Sequence, residues 1–327
     1  MENRRQIVKI GSYQSSPSIV NFGVPQGSIL GPLMFLIYIN DISKIGLEGN
    51  ISLYADDTSL FYFGQSVEAI VPRAQNDLIL LNKWFQSNLL TINTAKTNYI
   101  IFAPKNRKIN DNIQLKINDQ ILQRKDKEKY LGLILDGYLN WKPHIDKIKS
   151  KLISLTASLH SITNCLPQKV RYIIYNSLVK PHIDYLIEIW GTAVKTNLES
   201  LQRKQNKLIK ILFNYKFRTS TEKIYRETNI MNLKQTYVYY TCLLIHKILN
   251  GDIHSNLNFT RKHQIQKMKL RNANFLVARP PRTNYGKKNL EFEGVRIYNK
   301  LPLAIKNSKT YASFKNKLKI YIRNTYT

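Results

Sequence analysis

The stretch ISLYADDTSLFYF, residues 51–63, predicts two short strands joined by a tight turn that carries two adjacent acids, Asp56 and Asp57. Apolar and aromatic residues flank the acids on both sides, as in the paired strands of a β-hairpin. Two neighbouring carboxylates repel each other, so they are not buried together unless a cation neutralises them. Hard divalent ions such as Mg²⁺ bind such oxygen ligands and share their remaining positions with substrate phosphates. Taken by itself, DD favours the alternative, an ordinary solvated turn.

The net charge of +29 is distributed unevenly along the 327 residues. Residues 1–103 contain seven Lys/Arg and seven Asp/Glu, whereas residues 104–327 contain 43 and 14, so the whole excess lies in the second part. A basic region of this kind attracts polyanions, of which the nucleic acid backbone is the commonest. A codon bias toward Lys, Asn and Ile would also raise the charge, but it would not spare the first hundred residues.

Composition argues against several other classes of protein. Cys165 and Cys242 form no CxxC pair, so neither a disulfide framework nor a zinc knuckle is indicated. The spacings of His144, His160 and His182 fit no zinc finger, and we expect these histidines to lie in the core or on helix faces. The longest apolar run, ILGPLMFLIYI, is too short to span a bilayer, and the N-terminus lacks the apolar core of a signal peptide. We therefore expect an intracellular protein of the nucleus or cytoplasm, neither secreted nor membrane-bound.

Hydrophobic periodicity predicts a mixture of strands and helices, an α+β fold. A strand is expected at 4–10, a buried helix at 29–43, and an amphipathic helix at 66–88 with Ser66 as its N-cap. Residues 251–290 lack a clear period and are expected to be loop or partly disordered. Further strands are predicted at 97–103, 113–117 and 129–135, and further helices at 143–164, 168–186, 197–213, 232–249 and 313–324.

The acid pair belongs to the motif YADD, and a second motif, FGVPQGSILGP, precedes it by some thirty residues. With this pair the sequence resembles the reverse transcriptases of non-LTR retrotransposons of the jockey-like or LINE type. Weaker matches extend the resemblance over nearly the whole chain: LTINTAKTNYIIF, KYLGLILDGYLNWKPHI, VKPHIDYLIEIWGTA, LQRKQNKLIKIL and GVRIYNKLPLAIKNS.

The resemblance implies a partial polymerase palm, an antiparallel sheet backed by helices, followed by a mainly helical thumb and C-terminal region. The palm would occupy 1–103, and 104–140 would form the palm edge with a hairpin like the primer grip. The thumb-like helices would occupy 141–250, and a basic, partly irregular C-terminal region would occupy 251–327.

The resemblance also implies a function, RNA-directed DNA synthesis, in which dNTPs are added to a primer 3′ end by two-metal catalysis. An RNA template and a DNA primer would be the partners, and Mg²⁺, or Mn²⁺ in its place, the cofactor. Asp56 and Asp57 would bind the metal and carry catalysis. Lys96 would protonate or electrostatically stabilise the departing pyrophosphate. A solvated charge at a strand end is an equally good interpretation of Lys96.

Further site residues implied by the resemblance lie in loops, in turns and on the thumb helices. Those that would bind the nucleotide and the primer terminus are Tyr54, Ala55, Pro25, Gln26 and Gly27. Those of the primer-grip hairpin are Tyr130, Leu131 and Gly132, where Gly132 would allow close approach to the primer backbone. Basic residues that would contact phosphates are Lys147, Lys149, Lys151, Arg203, Lys204 and Lys207.

One element of the family pattern is not found in the sequence. Reverse transcriptases carry a third carboxylate on an earlier palm strand, in a pattern resembling AFD, and before Asp41 the only acid here is Glu2. We therefore expect a chain that begins inside the palm, without the fingers and the first catalytic strand, and that lacks polymerase activity by itself. The alternatives are a non-catalytic nucleic-acid-binding remnant that uses its basic C-terminal region, and an inert fragment of a mobile element.

Overall fold

The computed structural model describes residues 4–20, 23, 27–107, 109–110, 112–257, 259–262 and 275–325. The chain divides into two compact units, Met1–Lys125 and Asp126–Thr327. The division falls inside the predicted palm edge, 104–140. The first unit therefore contains the acid pair, and the second contains the hairpin at 127–136.

The described part of the first unit consists of short strands and two helices. Its helices are α1 (Leu30–Ile39), followed by a 3-10 turn at Asn40–Lys44, and α2 (Val67–Ser87). Its strands are β1 (Arg4–Gln6), β2 (Lys9–Ile10), β3 (Tyr13–Gln14), β4 (Ser18–Val20), β5 (Asn50–Tyr54), β6 (Asp57–Phe61), β7 (Asn98–Tyr99), β8 (Lys116–Ile117), β9 (Gln120–Ile121) and β10 (Gln123–Arg124).

The strands of the first unit pair two by two. The pairs β1–β4, β2–β3, β5–β6 and β8–β9 are antiparallel, and β7–β10 is parallel. Within the described ranges no sheet has more than two strands. The strand predicted at 4–10 is therefore found in two pieces, because β1 pairs with β4 while β2 turns back on β3 at Gly11, whose φ is +61°. The strand predicted at 97–103 is ordered as a strand only in β7, where β10 supplies hydrogen-bond partners.

Helix α1 forms where it was predicted, but the prediction that it is buried is wrong. Only Gly31 and Ile39 are buried, whereas Ile37 is 69% exposed and Ile29, just before the helix, is 95% exposed. Ile39 packs with Ile42 and Leu81 at the C-terminal end of the helix. A helix that is apolar all round needs neighbours on several faces, and the described residues supply them only at this end.

Helix α2 confirms its predicted boundaries and cap, because the Ser66 hydroxyl accepts a hydrogen bond from the backbone N–H of Ala69 at 3.2 Å. Its apolar face contributes to two small cores. Ala74 packs with Leu115, Ile117 and Leu122, and Leu81 joins the cluster of Ile39 and Ile42. This helix therefore links the α1 region to the strands that follow it.

The second unit is mainly helical, as predicted. It opens with the antiparallel hairpin β11 (Lys127–Tyr130) and β12 (Leu133–Asp136). π-Helical turns lie at Tyr175–Val179 and Leu290–Gly294, and 3-10 turns at Thr163–Cys165 and Gly286–Lys288. The helices are α3 (Lys142–His160), α4 (Gln168–Ile174), α5 (Lys180–Asp184), α6 (Ile187–Trp190), α7 (Lys195–Leu212), α8 (Thr221–Thr228), α9 (Leu233–Leu249), α10 (Val295–Asn299), α11 (Leu303–Lys306) and α12 (Tyr311–Thr325).

Two hydrophobic clusters form the core of the second unit, and α9 contributes to both of them. The first cluster surrounds Trp190 and the buried face of α7. The second contains Phe314, Leu318 and Ile322 of α12, a stripe with the spacing of an amphipathic helix. The His246 ring stacks on Phe314 with ring centroids 3.7 Å apart. The amphipathic helix predicted at the end of the chain is thus confirmed, and its apolar stripe is buried.

The region predicted as irregular, 251–290, lies partly outside the described residues, namely at 258 and 263–274. Its described parts contain one 3-10 turn and an isolated antiparallel bridge between Arg261 and Leu276. Leu276 is buried in the second cluster. Part of this region is therefore ordered by packing rather than by secondary structure.

The predicted core histidine His144 is buried beside Trp190, and its Nδ1 accepts a hydrogen bond from the backbone N–H of Ile134 at 3.4 Å. Burial, together with the nearby Lys147, lowers the pKa of His144 to about 4, so the ring is neutral at pH 7. Its packing gives this histidine a structural role. None of the described helices combines the length and apolar character needed to cross a bilayer.

Candidate active site

The two acids lie at the tip of the β5–β6 hairpin. Tyr54 pairs with Asp57 in the strand register, so Ala55 and Asp56 form a two-residue turn. Ala55 has a φ of +51°, a conformation that a β-branched or bulky residue rarely adopts. Both carboxylates are exposed to solvent. The predicted strand-turn-strand arrangement is therefore found, with its acids facing outward.

A buried acid, Asp77 of α2, anchors the base of this hairpin. Its side chain is 1% exposed and accepts hydrogen bonds from the backbone N–H groups of Glu48 at 3.1 Å and Gly49 at 2.8 Å. The Tyr62 hydroxyl donates a third hydrogen bond, at 2.8 Å. Glu48 and Gly49 precede β5 and Tyr62 follows β6, so one carboxylate holds both ends of the hairpin against α2. Burial and the hydrogen bond to Asp77 raise the pKa of Tyr62, which stays a donor.

Close packing around Asp77 explains why residue 49 is a glycine, and an ion pair between Arg73 and Glu48 lies beside it. A Cβ at Gly49 would lie 2.5 Å from the Tyr62 ring, so no larger residue fits there without displacing the ring. Arg73, one turn before Asp77 on α2, donates to the Glu48 carboxylate at 2.8 Å. Sequence analysis did not select Asp77. The sequence feature that could have indicated its burial is its position between Ala74 and Leu81, on the apolar face of α2.

The structure describes only part of the predicted GVPQGS loop. Pro25 and Gln26 lie outside the described residues, whereas Gly27 has a φ of +83°, which only glycine adopts readily. A Cβ at Gly27 would meet none of the described residues within 4 Å, so these leave the backbone open on that side. The Ser28 hydroxyl accepts a hydrogen bond from the N–H of Gly31 at 3.1 Å, at the start of α1.

Lys96 lies on an exposed turn that precedes β7. Its backbone N–H donates to the carbonyl and the side-chain oxygen of Asn93, both at 3.1 Å, which holds the turn in place. Among the described residues its ammonium forms no ion pair with Asp56 or Asp57. The structure thus brings Tyr54, Ala55 and the two acids together, and Lys96 stands on a separate turn of the same unit.

Asp56 and Asp57 supply the type of ligand that Mg²⁺ prefers, carboxylate oxygen. Across the described ranges, no three or more His, Cys, Asp and Glu side chains cluster in a way that could hold a metal. In phosphate-handling proteins Mg²⁺ is usually held by one or two carboxylates, with water and phosphate oxygens as its other ligands, and the chemistry of this pair fits that ligand set.

The hairpin predicted to resemble a primer grip is β11–β12 in the second unit. Tyr130 pairs with Leu133, and the two turn residues, Leu131 and Gly132, have φ of +43° and +85°, as a type I′ turn requires. The Tyr185 hydroxyl donates to the Leu131 carbonyl at 2.7 Å, and a Cβ at Gly132 would lie 2.9 Å from the Tyr185 ring. The glycine is thus required by the fold of this unit itself.

Asp136, at the end of β12, organises the connection to α3. This buried carboxylate accepts backbone hydrogen bonds from Tyr138 at 3.1 Å, Asn140 at 3.1 Å and Trp141 at 3.0 Å. Trp141 has a left-handed conformation with a φ of +64°, which the three hydrogen bonds help to maintain. The motif LDGYLNW thereby folds into the turn that starts α3.

The predicted phosphate-contacting residues differ in their surroundings. Lys147 and Lys151 of α3 are four residues apart and exposed, as are Arg203 and Lys207 of α7. Burial and these two α3 lysines lower the pKa of His182. Lys149 instead forms an ion pair with Asp146 at 2.8 Å, and Lys204 is half-buried. The four exposed cations are therefore the better candidates for contact with a polyanion.

The family model for "Reverse transcriptase (RNA-dependent DNA polymerase)" matches residues 4–135. This match and the relatives confirm the resemblance to the reverse transcriptases of jockey-like, non-LTR mobile elements, and residues 4–135 are the part that matches the reverse transcriptase model.

Three curated relatives illustrate the similarity. The chain is 25% identical over 251 residues to the "Probable RNA-directed DNA polymerase from transposon BS" of Drosophila melanogaster, covering 74% of this chain and 28% of that protein. It is 28% identical over 219 residues to the corresponding X-element protein of the same species, covering 65% and 24%. It is 29% identical over 223 residues to the "RNA-directed DNA polymerase from mobile element jockey" of Drosophila funebris, covering 64% and 24%.

The chain spans about a quarter of the length of these relatives. No solved structure matches it.

Replacing Asp77 by Ala tests the anchoring of the hairpin. The change leaves two backbone N–H groups and the Tyr62 hydroxyl without their acceptor, so we expect the first unit to lose about 2–4 kcal/mol of unfolding free energy. Urea denaturation followed by hydrogen exchange at the amides of β5 and β6 measures this loss. Glu68→Gln, an exposed acid at the start of the same helix, is the matched control and should change it by less than about 0.5 kcal/mol. Equal stability of both variants would contradict the anchoring role.

Proposed function

We propose that this chain takes part in RNA-templated DNA synthesis within the reverse transcriptase of a mobile element. The observation that carries the proposal is the hairpin, which presents two adjacent exposed carboxylates within a segment that matches the reverse transcriptase family. Relatives named as RNA-directed DNA polymerases support the same activity. The substrates are an RNA template, a DNA primer and dNTPs, and the reaction is nucleotidyl transfer to the primer 3′ hydroxyl.

Asp56 and Asp57 are the residues that would hold the divalent ion. Bound Mg²⁺, or Mn²⁺, supplies activation of the primer hydroxyl and stabilisation of the leaving pyrophosphate. The contribution of the chain itself is positioning. Asp77 holds both ends of the hairpin, and the small side chain of Ala55 leaves the tip open to a primer terminus. The acids thus stand outward on a support that does not need them for its own stability.

Two other residues of the first unit have proposed roles near the nucleotide. Gly27, with its left-handed backbone and open side, belongs to the loop that would hold the template and the incoming dNTP. Lys96 would offset the charge of the departing pyrophosphate, for which its exposed ammonium is chemically suited.

The second unit would bind the template–primer duplex through its phosphates. The uneven charge of the sequence and the exposed pairs Lys147/Lys151 and Arg203/Lys207 support this role. The turn of β11–β12, held by Tyr185, would act as a rigid primer grip. Such contacts depend on salt and tolerate any base sequence.

Titration with Mn²⁺, followed by the EPR signal of the free ion, tests the metal site. Asp56→Asn combined with Asp57→Asn removes both charged ligands, so we expect the dissociation constant to rise about tenfold or more. The matched control is Asp41→Asn combined with Glu68→Gln, which removes two exposed acids from the same unit and should leave binding unchanged. Equal weakening by both pairs would indicate nonspecific charge attraction and contradict the site.

Primer extension on an RNA template tests the whole reaction. We expect no product from residues 1–327 alone with either Mg²⁺ or Mn²⁺, because two-metal catalysis needs a further carboxylate to bridge the ions and no described residue adds a third acid to Asp56 and Asp57. Asp56→Ala is the control. Product that disappears in this variant would overturn the expectation of inactivity, while it would support the proposed polymerase function.

A second candidate function is nucleic-acid binding without catalysis, which the basic second part of the chain favours. Filter binding of an RNA–DNA hybrid at two salt concentrations tests it. Lys147→Ala combined with Lys151→Ala removes two phosphate contacts, so the slope of log affinity against log salt should fall by about 1.8. The control is Lys142→Ala combined with Lys149→Ala, on the same helix, whose ammonium groups pair with Asp146. Binding that is absent or insensitive to salt would count against this function.

A further inference from the structure

A pocket with a volume of about 480 Å³ lies within the second unit, among α4, α5, α9 and α12. This volume is in the range of small-molecule sites. None of the residues assigned to polymerase chemistry lines it. Its described lining combines cations with aromatic rings, and the tyrosines are Tyr172, Tyr175, Tyr239, Tyr240 and Tyr311.

The cations of the pocket come mainly from one row on α12. Lys315, Lys319 and Arg323 follow Tyr311 at intervals of four residues, and all four line the pocket. Residues at this spacing lie on the same side of a helix, with their Cα atoms about 6 Å apart along its axis. The apolar stripe of α12 is buried beside them. The three cations therefore line one wall of the pocket, one after another along α12.

This charge is not compensated by acids of the pocket. The single acid in the lining, Asp184, pairs with Lys180 and accepts a hydrogen bond from Tyr240. Among the described residues no acid forms an ion pair with Lys315, Lys319 or Arg323. Like charges four residues apart repel each other and destabilise a helix. A bound anion would offset this repulsion.

Two further observations indicate an anionic occupant. The Nε of Arg323 is buried and donates to no described group, although its NH2 group donates to the Asn229 carbonyl. Burial and the neighbouring Arg323, Lys180 and Lys315 lower the pKa of Lys319. A buried donor without an acceptor and crowded cations are both relieved by an oxyanion such as phosphate.

The tyrosines supply the other half of the recognition. Burial, with tyrosine neighbours, raises the pKa of Tyr239 to about 12, so the phenol stays neutral at pH 7. Neutral tyrosines offer flat apolar rings and hydroxyl groups that donate or accept hydrogen bonds. Aromatic rings beside a basic row are the combination with which proteins bind nucleobases and phosphates of unpaired strands.

We propose that this pocket binds a nucleotide unit of single-stranded nucleic acid, with its base among the tyrosines and its phosphates along Lys315, Lys319 and Arg323. A pocket of this volume is large enough for one unpaired nucleotide. The binding needs neither Asp56 nor Asp57, so it goes beyond the polymerase proposal. It gives the second unit a place for an unpaired strand in addition to its phosphate contacts with a duplex.

Photo-crosslinking on the full chain tests the proposal locally, with a 12-nucleotide oligo(dT) that carries 5-bromodeoxyuridine. We expect crosslinked peptides to contain pocket tyrosines. Lys315→Ala combined with Lys319→Ala should lower the affinity about tenfold or more and reduce the salt slope by about 1.4, the value for two phosphates of a single strand. The matched control is Lys309→Ala combined with Lys317→Ala, which removes the same charge beside or on α12 but outside the pocket. It should leave the crosslinks in place.

The role of the rings is tested by a second pair of variants. Tyr311→Leu removes a pocket ring and should lower the affinity at least about fivefold, because stacking on the base is lost. Tyr321→Leu is the control, since Tyr321 packs on the same hydrophobic cluster but does not line the pocket. An abasic oligomer of the same length should bind as weakly as the Tyr311→Leu variant binds oligo(dT).

Two measurements on the unmodified chain keep the test independent of folding. Oligo(dT) should protect Lys315 and Lys319, but not Lys317, from acetylation. Competition by free dTTP would assign the site to a free nucleotide, and competition by oligo(dT) alone would assign it to a strand; both outcomes support recognition of a nucleotide unit. Crosslinks confined to other regions, or equal loss in the two lysine pairs, would overturn the proposal.

Discussion

The buried carboxylate of Asp77 is the interaction on which the candidate site depends. Burying an ionised carboxylate costs several kcal/mol unless hydrogen bonds replace its hydration. Here three donors do so, two from the chain before β5 and one from Tyr62 after β6. The same hydrogen bonds that make the burial tolerable also fix both ends of the hairpin. A short two-stranded hairpin is marginally stable by itself in water, so this anchoring stabilises it.

Two buried acids and the exposed acid pair of the hairpin have different roles. Asp77 and Asp136 are buried, and their oxygens are used by protein N–H and O–H groups. Asp56 and Asp57 are exposed on a turn whose backbone is held from elsewhere. Carboxylates that are already occupied by the fold have little capacity left for a metal, whereas the exposed pair retains its lone pairs. The division therefore supports Asp56 and Asp57 as the residues available for chemistry.

Local signals made the hairpin and helix α2 predictable, because alternation, the acid pair and the Ser66 cap all act within a few residues. The role of Asp77 was not predictable in this way, since its partners lie 15 to 29 residues away in sequence. The exposure of α1 was missed for a related reason. An apolar sequence shows that a helix can be buried, but tertiary packing decides whether neighbours cover it. The presence of the hairpin followed from sequence, whereas its register, with Asp57 paired to Tyr54, and the long-range polar contacts did not.

The cations of the second unit are distributed less evenly in space than codon bias alone would predict. Under codon bias alone, lysines would be scattered over the exposed faces, and some of them would lie near acids by chance. In α3, Lys142 and Lys149 indeed pair with Asp146. In α12, by contrast, the cations Lys315, Lys319 and Arg323 stand in one row without acids, beside buried tyrosines. Helix stability alone disfavours such a row. The row lies next to a pocket whose lining suits a flat ring and a phosphate, and an anionic, aromatic occupant would offset its repulsion.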